Sequence, residues 1–121
     1  MLMVSFIVTK LYNCKLIKIV KFINHLPLLK KMEEKEEKLS RAISAGSRRQ
    51  ILKILSKKEE NVKEISRLTK MSVSLTSRHL KLLYDLGFLK VRKEFPNKYY
   101  SLKIKELKKL LEVYDQIISK I

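Results

Sequence analysis

From residue 33 onward the apolar residues recur at helical spacing, and they switch to alternation only between Phe88 and Leu102. Leu39, Ala42 and Ile43 form a short stripe within Glu33–Ala45, a segment that Gly46 closes. Its acids Glu33, Glu34, Glu36 and Glu37 suit the positive end of a helix dipole. Ser47 reads as the cap of a second helix, Arg48 to about Lys57, with Ile51, Leu52, Ile54 and Leu55 toward a core. Asn61-Val-Lys-Glu64 has the form of a capping box, and it opens a short helix to about Lys70 with Ile65 and Leu68 as core residues.

The stretch Ser72–Gly87 predicts one further helix. Ser72 can accept an orphan N–H of the first turn, and Gly87 can take the left-handed conformation that ends a helix. Leu75, Leu82 and Leu86 make one stripe, widened by Thr76, Leu80 and Leu83. Val73, Ser74, Ser77, Arg78 and Lys81 share a different face, small at the helix start and cationic further on. A helix that enters a DNA major groove needs such a face: small residues for close approach, then long donors for bases or phosphates. Two short helices joined by Met71-Ser72, the second with this face, make a helix-turn-helix arrangement.

Alternation then takes over. Leu89 and Val91 oppose Lys90 and Arg92, Pro96-Asn97 is turn chemistry, and Lys98–Leu102 returns as a second strand. A basic hairpin in this position is a wing whose charges would lie along phosphates. The last segment, about Lys103 to Ile121, is helical again. Ile104, Leu107, Leu111, Tyr114, Ile118 and Ile121 follow each other at alternating spacings of three and four, a heptad seam. Leu110, Val113 and Ile117 widen it beyond what a lone surface helix needs. A second copy is the simplest partner for it, and packing on the Glu33–Ala45 helix is the alternative.

Charge narrows the function. The 121 residues carry 28 Lys and Arg against 12 Asp and Glu, a formal charge of +16. That balance points to polyanions, nucleic acid first and an acidic membrane surface second. A heat-adapted surface would explain the number of charges but not their single sign. Only six residues are Asn or Gln, which fits heat adaptation or an AT-biased genome equally. The lone Cys14 allows no intramolecular disulfide, fits a reducing compartment and reads as a small hydrophobe. With two Gly in the chain there is no phosphate-binding loop, and no paired-acid, Cys/His or Ser/His/Asp arrangement has catalytic spacing. The chain is expected not to be an enzyme and to need no cofactor.

Residues 1–31 stand apart, with six Lys and no acid among many Ile, Leu, Val and Phe. The run Leu2–Val8 is too short to span a bilayer, and no signal-peptide order of charge, apolar core and cleavage site appears. Leu16, Ile19, Val20 and Ile23 have helical spacing with Lys15, Lys18 and Lys21 opposite. A helix lying on a membrane, a segment packed on its own domain or a partner, and a hairpin through Tyr12-Asn13-Cys14-Lys15 all fit; the membrane reading is not favoured. Met32 opens an acid-rich sequence and is an alternative start. The expected organisation is an extension over 1–31, then a domain over 32–121 that includes the terminal helix 103–121.

With these residues in place, the chain resembles the ArsR-like winged helix-turn-helix transcription regulators. The matching pieces are Ser47-Arg-Arg-Gln-Ile-Leu-Lys-Ile-Leu55, Lys63-Glu-Ile-Ser66, Ser74-Leu-Thr-Ser-Arg-His-Leu-Lys-Leu-Leu83, Leu86-Gly-Phe-Leu-Lys-Val91 and Tyr99-Tyr-Ser-Leu102, in family order from about Leu39 to Leu111. The resemblance implies a mainly α fold with a small β-hairpin wing (α+β), whose N- and C-terminal helices form a homodimer. Leu39, Ile43, Ile104, Leu107, Leu111, Tyr114, Ile118 and Ile121 would lie in that dimer contact. It implies base or phosphate contacts for Val73, Ser74, Ser77, Arg78 and Lys81, and wing contacts for Arg92, Lys93 and Lys98.

Some members of the family sense metal, and here the sequence departs. No cysteine pair stands near Val62–Ser66, and Asp115 in the last helix is followed by no histidine. His79 lies in the reading helix as a packing residue, and His25 in the extension, so no metal site is expected. No small-molecule ligand can be named. The expected function is a cytoplasmic, sequence-specific regulator that binds double-stranded DNA as a dimer on a near-palindromic operator. The alternative is a non-specific architectural DNA- or RNA-binding protein.

Overall fold

The computed structural model describes residues 18, 19, 21, 22 and 26–121. The expectations placed on Cys14, Leu16, Val20, Ile23 and His25 lie outside these residues. The chain divides into two compact units, Met1–Glu37 and Lys38–Ile121. In the first, residues 18, 19, 21 and 22 are helical and exposed. Helix α1, Pro27–Ile43, begins in this unit. It starts earlier than the acidic run implied, because Pro27 provides a ready first helical position with a fixed φ and no N–H to satisfy. The first turn therefore contains no acid, and Glu33, Glu34, Glu36 and Glu37 lie in the body of the helix. Among the described residues no helix is long and apolar enough to cross a membrane.

The second unit holds the end of α1, then α2 (Gly46–Lys57), β1 (Glu60–Asn61), α3 (Val62–Thr69), α4 (Val73–Asp85), β2 (Leu89–Glu94), β3 (Asn97–Leu102) and α5 (Glu106–Lys120). Ser47 is not the cap expected of it. Ala45 holds the extended N-cap position and Gly46 starts the helix, with no side-chain cap bond. The neighbouring arginines instead close the helix before. Arg48 donates to the carbonyls of Arg41 (2.8 Å) and Ala42 (3.3 Å), and Arg49 to that of Ile43 (2.6 Å). These are the carbonyls a helix end leaves without partners.

Helices α3 and α4 keep the predicted caps. The Asn61 side chain accepts from the Glu64 N–H at 2.9 Å, and the Ser72 hydroxyl accepts from the Leu75 N–H at 3.1 Å. The Glu64 carboxylate does not complete the capping box; it binds Arg67, one turn on. Between the helices Lys70 turns left-handed at φ 57°, and the Ser66 hydroxyl donates to the Met71 carbonyl, fixing the corner. Helix α4 ends on Gly87 at φ 90°. There the Phe88 N–H donates to the Leu83 carbonyl and the Gly87 N–H to that of Tyr84, both at 3.0 Å, a Schellman pattern.

The core joins Ala42, Ile51, Leu52, Leu55, Ile65, Leu80, Leu83, Phe88, Leu89, Leu102, Leu107 and Leu111. On α4 the buried line is Thr76, Leu80 and Leu83, while Leu75 is 39% exposed. Thr76 can be buried because its hydroxyl donates to the Ser72 carbonyl at 2.8 Å. Leu68, expected in the core, is exposed. The three strands are ordered β1-β3-β2, all antiparallel, with Leu89 opposite Leu102 at the buried base and Glu94 opposite Asn97 at the tip. β1 is two residues long and sits between α2 and α3, so the edge of the sheet runs straight into the helix-turn-helix.

Candidate nucleic-acid interface

The outward face of α4 is where the sequence placed it: Val73, Ser74, Ser77, Arg78 and Lys81 are all exposed. The wing stands beside it. A cleft of about 540 Å³ runs between helix and hairpin, lined by Ser77, Arg78, Lys81, Tyr84 and Asp85 from one side and Val91, Lys93, Lys98 and Tyr100 from the other. Among the described residues no carboxylate lies within ion-pair distance of Arg78, Lys81, Lys93 or Lys98. Lys93 and Lys98 face each other directly across the two strands. Like charges opposed in this way repel, and a bound anion relieves the repulsion. A shallower hollow links the start of α4, Val73 and Ser77, to Pro96, Asn97 and Lys98 of the wing and Lys63 of α3. Ser74 shares the exposed face but lines neither cleft.

Arg92 departs from expectation. Its guanidinium is bound to Glu59 at 2.8 Å and to Glu94 at 2.5 Å, and lies over the Tyr99 ring, 4.7 Å from its centre. These hydrogen bonds raise its pKa and hold the Glu59 carboxyl below its usual value. A guanidinium already shared by two carboxylates braces the hairpin against the loop before β1, and is not presented to a phosphate. Replacing Arg92 by Ala is therefore expected to loosen the wing, read as faster amide exchange across β2 and β3. The slope of log affinity against log salt should stay unchanged, whereas Lys93→Ala should lower it by about 0.9, one phosphate contact. A salt titration of the two variants checks this.

His79 is half-buried and lines neither hollow. Burial, and secondarily the positive charge of Arg48, hold its imidazole below its ordinary pKa, which fits a neutral packing residue. Among the described residues no group of three or more His, Cys, Asp or Glu could hold a metal. Asp115 of the last helix is paired with Lys53 of α2 at 2.8 Å.

The seam on α5 divides in two. Leu107 and Leu111, each 3% exposed, are spent on this chain's own core, with Leu39 and Ile43 packed against it. Tyr114 lies under the Arg49 guanidinium, 4.9 Å from ring centre to carbon. Ile104, Ile118 and Ile121 are exposed, as are Leu110, Val113 and Ile117. Tyr84, Tyr100 and Lys63 join the site without having been singled out. Tyr84 continues the Ser77–Lys81 line at helical spacing and was legible from that; Tyr100 and Lys63 are brought in only by the sheet.

Two helices joined at a tight corner, with a basic hairpin beside the second, define a winged helix-turn-helix protein. The sequence model of the bacterial regulatory proteins of the arsR family matches residues 46–91. Together with the relatives that follow, this match supports an ArsR-like helix-turn-helix regulator. It is 37% identical over 76 residues to a cadmium resistance transcriptional regulatory protein, a CadC homolog of Staphylococcus aureus. That match covers 62% of this chain and 63% of the relative, so it spans less than two thirds of the relative's length. The structure of HlyU from Vibrio cholerae is similar at a TM-score of 0.65 and 32% identity, over 72% of this chain and 95% of that one. In fold it also matches the homodimeric DNA-binding domain of a possible ArsR-family regulator from Mycobacterium bovis, at a TM-score of 0.70 and 22% identity, over 78% of this chain and 87% of that one.

Proposed function

We propose that this protein is a sequence-specific transcription regulator that binds double-stranded DNA as a homodimer on a near-palindromic operator. The observation that carries the reading is the cleft between α4 and the wing, where four cations with no carboxylate partner among the described residues adjoin an exposed, small-residue helix start. In this reading the first turn of α4 enters a major groove. Val73, Ser74 and Ser77 let the backbone approach, Arg78 reaches a base edge, and Lys81, Lys93 and Lys98 hold phosphates. Arg92 sets the angle of the wing.

Dimerisation rests on α5. Its Leu110, Val113, Ile117 and Ile118 are exposed at spacings that make one apolar strip, and the Mycobacterium bovis domain of the same fold is described as homodimeric. A two-fold protein reads two half-sites about one helical turn apart. Operator binding also places the protein in the cytoplasm. Residues 1–31 have no role in this reading.

Selection from a random duplex pool tests all parts together. An enriched motif with two-fold symmetry is expected. Arg78→Ala should relax preference at one position per half-site, by about 1–3 kcal/mol for a bidentate guanine contact, while Lys93→Ala weakens all sequences alike. Binding without any enriched motif would instead favour an architectural role.

A further inference from the structure

The tip of the wing carries a residue that the phosphate contacts leave unused. Phe95 is 99% exposed, more than any other large hydrophobic residue described, the chain-terminal Ile121 at 96% included. Apolar residues scattered singly over a protein surface are ordinary. Most of the exposed apolar residues described keep about two fifths or more of their surface covered, whereas Phe95 keeps almost none. With Glu94 opposite Asn97, Phe95 and Pro96 alone form the end of the hairpin. Exposure rises from the buried Leu89–Leu102 pair at its base to this end, so the hairpin projects from the core by about 17 Å at roughly 3.3 Å per residue.

The surroundings of that ring select its occupant. Lys93 precedes it on β2 and Lys98 follows it on β3, neither with a carboxylate partner among the described residues. Glu94, the residue before Phe95, is turned onto Arg92 and its charge is matched there. Pro96 and Asn97 line the hollow they share with Val73 and Ser77, which puts the tip on the same side as the start of α4. An aromatic ring at the end of a hairpin that bears Lys93 and Lys98, on the same side as the start of α4, suits a groove whose walls are phosphate and whose floor is stacked bases. An acidic membrane also offers phosphates, but it has no groove to receive the start of α4 that the tip accompanies. Pro96 limits the backbone freedom of the tip, so less order is lost on insertion.

We propose that Phe95 is an apolar wedge. It enters the minor groove next to the major groove read by α4, opens a base step and bends the duplex. Side chains of this kind unstack one step and bend DNA by about 20–90°, most readily at flexible pyrimidine–purine steps. The operator would then carry a preference, beyond the bases touched by α4, for a deformable step where the tip falls. This rests on the DNA-binding reading above.

The test uses the full chain and a duplex carrying donor and acceptor dyes at its ends, either the selected motif or, if none is enriched, a random sequence. Wild-type protein should shorten the end-to-end distance. Phe95→Ala, whose site touches no core residue, should keep the wild-type melting temperature and the motif preference of α4. It should lose most of the bend and bind about tenfold more weakly, the scale of one aromatic–base stacking contact. Phe95→Trp should restore the bend. Equal bending and affinity in Phe95→Ala and wild type would overturn the wedge while leaving operator recognition intact. Loss of the dimer in Phe95→Ala by sedimentation equilibrium would overturn it too, by assigning the ring to a contact between copies. Failure of the wild type to bind any duplex would defeat the DNA reading itself.

Discussion

Replacing Arg78, Lys81, Lys93 and Lys98 together by alanine is expected to abolish DNA binding at physiological salt and leave the fold standing. The four side chains converge on one cleft from two elements, are exposed, and make no ion pair among the described residues. Little native structure therefore depends on them. Binding does, because each cation that neutralises a phosphate releases a condensed counterion. If each holds one phosphate, the slope of log affinity against log salt should fall by about 3 to 4 per protomer, roughly twice that for the dimer, and affinity at 0.15 M salt by more than about a thousandfold. Fluorescence anisotropy across a salt series measures both. Thermal unfolding of the same variant should be unchanged or slightly raised, since mutual repulsion across the Lys93–Lys98 pair has gone. A variant that bound DNA with the wild-type slope would place the interface elsewhere on this basic chain.

Leu80→Ala should have the opposite character, with its main effect on stability. Leu80 is fully buried under the reading helix, in one core with Ile51, Leu52, Ile65 and Leu83. Truncation at such a site costs about 2–5 kcal/mol, from lost burial and the cavity left behind. A small domain has only about 5–15 kcal/mol in all. Urea unfolding should show a markedly lower midpoint at unchanged slope. Any DNA-binding defect should then be rescued by lowering the temperature or adding operator, which charge removal does not allow. An unaffected midpoint would mean that α4 is not anchored through this residue.

The reading helix was legible because its ends are local chemistry. Ser72 and Gly87 lie within the segment they delimit, and they do in the structure what their types favour. The wing was legible for a similar reason, since alternation and a proline fix a hairpin from adjacent residues, although the turn is Phe95-Pro96, one residue earlier than expected, and Asn97 already pairs with Glu94. What escaped depended on distance in sequence. Strand β1 has two residues and exists because Glu60 and Asn61 meet Tyr100 and Tyr99, almost forty positions on. Arg92 looked like one more wing cation, since nothing in a one-dimensional pattern brings Glu59 to it. The roles of Arg48 and Arg49 were hidden likewise, because the carbonyls they bind belong to the previous helix. On α4 the sequence pattern centred the apolar face on Leu75, Leu82 and Leu86, with Thr76, Leu80 and Leu83 as its margin. The structure buries the margin, a fraction of a turn away, because these three meet the core while Leu75 does not. On α5 periodicity placed the apolar residues but could not divide them between the chain's own core and an outer strip. Leu107 and Leu111 went inward, and Leu110, Val113 and Ile117 stayed out.

The two faces of α4 share a backbone and little else. Thr76, Leu80 and Leu83 hold the helix in place, whereas Val73, Ser74, Ser77, Arg78 and Lys81 contribute nothing to the core. If α4 reads DNA as proposed, stability and address are written on different sides of thirteen residues. Mutations on the outer side can then accumulate almost without a folding cost, and each one would change which promoters the protein visits. Descendants of such a chain can be rewired to new genes faster than they can be redesigned as folds. A library confined to those five outward positions would explore that freedom directly, with the melting temperature staying nearly constant while the preferred sequence wanders.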